Sequence, residues 1–168
     1  VSAHLDPTTS RQLYTQSLSY FEELLRKAPG DARIVCGIDA QTNLGNIDDE
    51  SNTLIGEYTG DIEVDAAEKK RRKRTAWKAR ALYEVMCKYN LSAVNTQHEN
   101  YRNAGYATFL NDFRSAPQQL DYILVSGGRN GDRAGTDDAE AVESDHRAVL
   151  FQEKVWTEEE EAETRSAE

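Results

Sequence analysis

The sequence predicts an α/β domain, because short strand-like apolar runs alternate with two longer segments whose apolar residues recur at helical spacing. A length of 168 residues suits one domain. Polar residues stand at the ends of several strand-like runs, where sheet proteins commonly place their sites. The strand-like runs cover residues 1–5, 32–37, 91–96, 107–109, 120–126 and 147–152.

The first helical segment covers residues 10–27, about five turns. One of the hydroxyl residues at 8–10 can cap its N-terminus, and the Pro-Gly pair at 29–30 ends it. Its apolar positions are Leu13, Leu18, Phe21, Leu24 and Leu25.

A basic run leads into the second helical segment, and residues 65–80 carry eight bases against two acids, a net charge of +6. The run is either a nucleic-acid contact or a nuclear import signal. The alternative without a specific function is a solvated helix start. Cations slightly destabilise a helix when they lie at its N-terminus, so their presence there indicates a function. The run consists of Lys69, Lys70, Arg71, Arg72, Lys73 and Arg74. The buried face of the helix is predicted to carry Trp77, Ala81, Leu82, Val85, Met86 and Tyr89.

Three segments are predicted to be irregular. Residues 45–65 are acidic, and residues 127–143 form a loop rich in Gly and Asp. Residues 157–168 contain six glutamates and one arginine, which predicts an acidic, disordered tail and a folded portion over 1–156.

The composition excludes several classes of protein. A net charge of -10 argues against a protein that coats nucleic acid generally, although the basic run can hold a polyanion at one place. No run approaches the ~20 apolar residues of a membrane span. Cys36 and Cys87 lie in apolar segments without metal-ligand spacing, so we expect buried thiols in an intracellular compartment, nuclear or cytoplasmic. Because the chain lacks an initiator Met and begins within a strand-like run, we expect a fragment of a longer protein.

An acid beside a histidine, Asp145 and His146, gives the strongest chemical signal. A carboxylate can ligate a hard divalent cation, and an imidazole can donate to a phosphoryl oxygen or move a proton. We expect Asp121 to lie within reach of His146, where its carboxylate would fix the ring tautomer. The alternative is a turn residue beside a surface histidine.

Two earlier strand-like runs also end in polar residues. Asp39 can orient or deprotonate a water, or it is an ordinary turn residue after a glycine. Gln41 offers an amide to a phosphate oxygen. His4, taken alone, reads as an unremarkable polar residue.

In this order the motifs resemble those of the endonuclease/exonuclease/phosphatase superfamily, which includes pancreatic deoxyribonuclease and the abasic-site endonucleases. That pattern is a strand ending in His, a helix, a strand ending in Gly-Asp-Phe-Asn, an Ile-Asp-Tyr-Ile-like strand and a terminal Ser-Asp-His. The matching segments are Ala3-His4-Leu5, Gly37-Ile38-Asp39-Ala40-Gln41, Leu120-Asp121-Tyr122-Ile123 and Ser144-Asp145-His146. The chain is most similar to endonuclease domains of non-long-terminal-repeat retroelements, through residues 39–45, Ile55-Gly56 and Asn95-Thr96.

The resemblance implies a four-layer α/β sandwich, of which this chain is an N-terminally truncated portion. It implies a Mg²⁺-dependent DNA-nicking phosphodiesterase, with Mn²⁺ as the alternative ion, that is weakly active or inactive as a fragment. Asp39 would position the water, Asp145 would ligate the ion and His146 would polarise the scissile phosphate. Asp121 would pair with His146, and His4 would lie near the leaving group.

Three departures from the family pattern bear on catalysis. The Gly that precedes the Asp in the family is replaced by Ile38, with Gly37 one place earlier. Gln41 replaces an Asn and is one methylene longer, so its amide overshoots unless the loop adjusts; misplacement by about 1 Å can cost on the order of 10²-fold in rate. The family's first half, with an Asn and the main metal-binding Glu, has no counterpart here. Two alternatives stay open: a superfamily member acting on RNA or on a phospholipid or inositol phosphate, and a degenerate, non-catalytic relic or binding module.

Overall fold

The computed structural model describes residues 2–8, 10–47, 53–59, 66–97, 107–109, 118–127, 133–137 and 146–153. Within these ranges the chain is a mixed α/β structure with two α-helices, a four-stranded mixed sheet and a two-stranded sheet. The predicted α/β class is therefore confirmed. The acidic tail predicted over 157–168 lies outside the described residues.

The elements follow in chain order as β1 Ser2–His4, α1 Arg11–Arg26, β2 Val35–Asp39, α2 Ala66–Tyr89, β3 Leu91–Ala93, β4 Asp121–Ser126, β5 Arg133–Asp137 and β6 Ala148–Gln152. The four-stranded sheet has the order β1-β2-β4-β3. β1 is parallel to β2, and β4 is antiparallel to both of its neighbours. β5 and β6 form a separate antiparallel pair.

Helix α1 begins and ends where the sequence predicts. Ser10 is the N-cap, and its side chain accepts a hydrogen bond from the backbone amide of Leu13. The buried face differs from the prediction in two ways: Leu13 is 46% exposed while the next residue is buried, and Leu24 is only partly buried. The buried positions recur at three- and four-residue spacing, as an amphipathic helix requires, and are Tyr14, Leu18, Phe21 and Leu25.

The basic run was predicted to lead into the second helix. Helix α2 begins at Ala66, so the run lies inside its first turns. The helix buries Leu82, Val85 and Met86 as predicted. It also buries Lys78, whose Nζ atom lies 4.7 Å from the ring centroid of an α1 tyrosine. Burial lowers the pKa of this lysine.

The main core lies between the two helices and one face of the four-stranded sheet. A smaller cluster on the other face joins Val94, Ile123 and Val125 to Ala134 of β5. One face of the sheet is therefore covered by helices, and the opposite face is partly covered by the β5–β6 pair.

Three sequence expectations need correction. Residues 127–143 were expected to be a loop but contain β5; its sequence is poor in apolar residues, and its strand form depends on pairing with β6. The run predicted as a strand over 91–96 leaves the sheet after Ala93 and continues as a 3₁₀ turn. Cys36 is buried, but Cys87 is exposed because it lies on the solvent side of α2; both thiols are free.

In the described part of the chain, no helix is both long and apolar enough to cross a bilayer.

Candidate active site

Three polar side chains lie in one row across neighbouring strands. His4 of β1 stands opposite Asp39 of β2, and Asp39 stands opposite Asp121 of β4. Residues in register on adjacent strands project from the same face of a sheet. The row lies where β1 and β2 finish and β4 begins, which we call the site end of the sheet. Two backbone hydrogen bonds, from Leu5 to Asp39 and from Ala40 to Leu120, hold this end together at 2.9 Å and 2.8 Å.

His146, just before β6, pairs with Asp121. Its Nδ1 atom lies 2.9 Å from Oδ2 of Asp121, so the contact expected from the sequence is present. With Nδ1–H donating to the carboxylate, Nε2 is the nitrogen that can accept a proton. Burial raises the pKa of Asp121, and hydrogen bonds from Thr108 and His146 act in the opposite direction.

The segment from Ala107 to Phe109 holds this pair in place, and sequence reasoning did not assign it a functional role. The buried Oγ1 atom of Thr108 accepts hydrogen bonds from the backbone amides of Leu120 and Asp121, both at 2.9 Å. Phe109 forms a β-bridge with His146, and the two rings meet edge to face with centroids 5.0 Å apart. This segment therefore fixes both partners of the acid–histidine pair.

Asn95 is a second positioning residue that the sequence analysis matched only as part of a motif. Its buried side chain donates to the carbonyl of Asp121 at 3.0 Å and accepts from the amide of Ile123 at 3.0 Å. These bonds satisfy backbone groups at the start of β4. Asn95 thus helps to set where the Asp121 carboxylate stands.

Gln41 folds back onto Asp39. Its side-chain amide lies 2.9 Å from Oδ1 and 2.7 Å from Oδ2 of that carboxylate, and its backbone amide donates to Oδ1 at 3.2 Å. A left-handed backbone at Gln41, with φ of 51°, accompanies this arrangement. Such a conformation costs a residue with a Cβ about 1–2 kcal/mol. His4 adds a further contact, with Nδ1 3.2 Å from Oδ2 of Asp39.

Among the described residues, Asp39, Asp121 and His146 form a group that could hold a metal ion, since one ligand atom from each lies within 4.8 Å of the others. Two carboxylates and an imidazole suit Mn²⁺ or Zn²⁺, whereas Mg²⁺ prefers oxygen alone. The donor set fits a divalent ion, provided that Asp39 gives up the Gln41 amide. Asp145, the residue predicted to bind the ion, lies outside the described residues.

A cavity of about 390 Å³ opens beside the row, between β2 and β6. Its polar end is formed by His4, Asp39, Asp121 and Arg147, and its apolar end includes Val149 and Phe151 of β6. The Arg147 guanidinium donates to the carbonyl of Ala107 at 3.4 Å. The cavity gives a ligand access to both acids of the row.

Of the basic run, Lys70, Lys73 and Arg74 are exposed. The side chains of Lys69, Arg71 and Arg72 lie outside the described part of the structure. Neither a scan against protein-family models nor a search of curated proteins finds a match for this chain.

Proposed function

We propose that this chain carries the active site of a divalent-metal-dependent phosphodiesterase of the endonuclease/exonuclease/phosphatase type, with DNA as its substrate. One observation carries the proposal: residues from four separate segments, His4, Asp39, Asp121 and His146, converge at the site end of the sheet. Such a combination of two acids and a paired histidine is suited to hydrolysis of a phosphate ester.

The role of each side chain follows from its position. Once the Gln41 amide releases it, Asp39 accepts the proton of the attacking water, whose oxygen bonds to phosphorus as the bond to the leaving oxygen breaks. The leaving oxygen takes the proton that His146 carries at Nε2. Asp121 holds the His146 ring through Nδ1, so that Nε2 can exchange a proton with a phosphate oxygen. A divalent ion held by the carboxylates of Asp39 and Asp121 would neutralise charge that develops on the phosphoryl oxygens.

The layering of the described elements supports the finer fold expectation. Helices α1 and α2 pack on one face of the four-stranded sheet, and the β5–β6 pair packs on the other. Two sheets face to face with helices outside are the arrangement of a four-layer sandwich. We propose that fold for the complete domain.

A second candidate is a site that binds without catalysis. Both oxygens of Asp39 are occupied by the Gln41 amide, and the same carboxylate contacts His4. If these contacts persist, Asp39 is not available to a water or an ion. In this reading the row of polar residues is a structural network.

Binding of Mn²⁺ to the chain separates these candidates, because Mn²⁺ broadens the NMR signals of nearby histidine ring protons. We expect broadening of the His4 and His146 signals, lost in Asp39→Asn and Asp121→Asn and retained in Asp31→Asn. Asp31 is an exposed acid in the turn after α1, so its variant matches the charge change away from the site.

Nicking of supercoiled plasmid provides the catalytic readout. The wild-type chain is assayed with Mg²⁺ or Mn²⁺ and with chelator, and the His146→Ala variant is assayed with the same ions. Metal-dependent nicking that disappears in His146→Ala supports the phosphodiesterase. Gln41→Ala removes the amide from Asp39 and should tighten Mn²⁺ binding. Equal Mn²⁺ broadening in wild type and in both site variants would contradict the metal site and favour the non-catalytic candidate.

A further inference from the structure

The N-terminal part of α2 projects past the site end of the sheet. Lys78 marks where the helix passes that end, because its Nζ atom donates to the carbonyls of Asp6 and Pro7, two to three residues after His4, at 3.1 Å and 3.3 Å. The helix starts twelve residues before Lys78, at Ala66. At 1.5 Å per residue this is about 18 Å of helix.

The direction of α2 shows that its N-terminal part lies at the site end of the sheet. The helix leads into β3, whose first residue, Leu91, pairs with Ser126 at the opposite end of β4 from Asp121. Helix α2 therefore runs from the site end to the far end of the sheet, and its first turns extend beyond the strands.

Exposed cations on these turns line up with Lys78. Lys70, Arg74 and Lys78 are spaced by four residues, so they follow one side of the helix, and that side faces the loop after His4 at Lys78. We call Lys70 and Arg74 the cationic stripe. Among the described residues, no acid forms an ion pair with either of them.

We propose that the cationic stripe binds the phosphate backbone of DNA and guides it along α2 to the site end of the sheet. The choice of DNA rests on the proposed function; the binding surface rests on the helix geometry. Lys70 and Arg74 are four residues apart, about 6 Å along the axis, which is comparable to two nucleotides of one strand at about 3.4 Å each. The net charge of -10 disfavours contact elsewhere, so the stripe directs a polyanion to one place.

Fluorescence anisotropy of a labelled DNA duplex, with chelator present to prevent cleavage, tests the proposal. The variant Lys70→Gln with Arg74→Gln is compared with Arg26→Gln and Lys27→Gln, two exposed cations at the end of α1. Both double variants remove two positive charges, but the second pair lies near the start of β2, at the far end of the sheet. A third variant, Lys70→Arg with Arg74→Lys, keeps the charge.

We expect the stripe variant to raise Kd about ten-fold or more at ~50 mM salt and to reduce the slope of log K against log salt by about 1.8, as loss of two phosphate contacts requires. The control pair and the charge-conserving variant should bind like wild type. Equal weakening in both neutralised variants, no DNA binding by wild type, or stripe-dependent binding to vesicles with anionic lipid but not to DNA would overturn the proposal.

The result is independent of the metal site. The duplex is bound in chelator, so no ion occupies the polar row while the stripe is tested. Loss of DNA binding in the stripe variant with normal Mn²⁺ broadening identifies the stripe. Normal DNA binding with no Mn²⁺ broadening in wild type would refute the proposed function while leaving the stripe in place.

Discussion

Replacing Thr108 with valine tests how the acid–histidine pair is supported. The side chain is fully buried, and its Oγ1 atom accepts from the amides of Leu120 and Asp121, both at 2.9 Å. Valine has nearly the same shape but no acceptor, so both amides lose their partner. An unsatisfied buried donor costs about 1–3 kcal/mol, and Asp121 is only partly buried, so we expect a loss of about 2–4 kcal/mol.

The matched control is Thr108→Ser, which keeps the acceptor oxygen and removes one methyl group, a change worth about 1 kcal/mol. Urea unfolding followed by circular dichroism gives both free energies of unfolding, with equal m-values required for the comparison. Hydrogen exchange at the Asp121 amide should also accelerate in the valine variant. If the valine variant is as stable as the serine variant, Thr108 does not support the start of β4 through its hydroxyl.

Two further predictions concern packing and thiol reactivity. A Cβ on Gly56 would lie 2.1 Å from the backbone carbonyl oxygen of Thr96, so Gly56→Ala should cost about 3 kcal/mol in urea unfolding. Gly30→Ala, whose Cβ meets nothing within 4 Å, should change stability by less than about 0.5 kcal/mol. In native protein at pH 8, iodoacetamide should modify the exposed Cys87 but not Cys36, because burial raises the pKa of Cys36 to about 11. Double modification in the intact mass spectrum before unfolding would contradict that burial.

Local sequence signals predicted the elements that do not depend on distant partners. Helix α1 has a capping serine, a periodic apolar face and a Pro-Gly stop, and in the structure it begins directly after Ser10 and ends at Arg26, shortly before Pro29. Asp39, Asp121 and His146 were predicted from their positions beside strand-like runs, and the structure brings them together. The polar residues at strand ends were thus the most informative feature of the sequence.

Other features depend on contacts that spacing does not reveal. Thr108 is a lone hydroxyl in a three-residue run, and its importance comes from two amides twelve and thirteen residues later. Gln41 was expected to offer its amide to a phosphate oxygen, but its left-handed backbone accompanies a return of the amide to Asp39. β5 is a strand because β6 pairs with it, since its own residues carry little strand propensity.

The position of β4 between β2 and β3 has a consequence for the order in which the chain can fold during synthesis. Asp39 and its partner Asp121 are separated by 82 positions, so β1 and β2 leave the ribosome well before the strand that joins them to β3. At about 5–20 residues per second, this interval lasts roughly 4–16 s. During that time the apolar face of β2 lacks its neighbour, and the Asp39 carboxylate lacks its final surroundings. The polar row therefore forms only when the central strand arrives, and its assembly reports that the nascent sheet has closed.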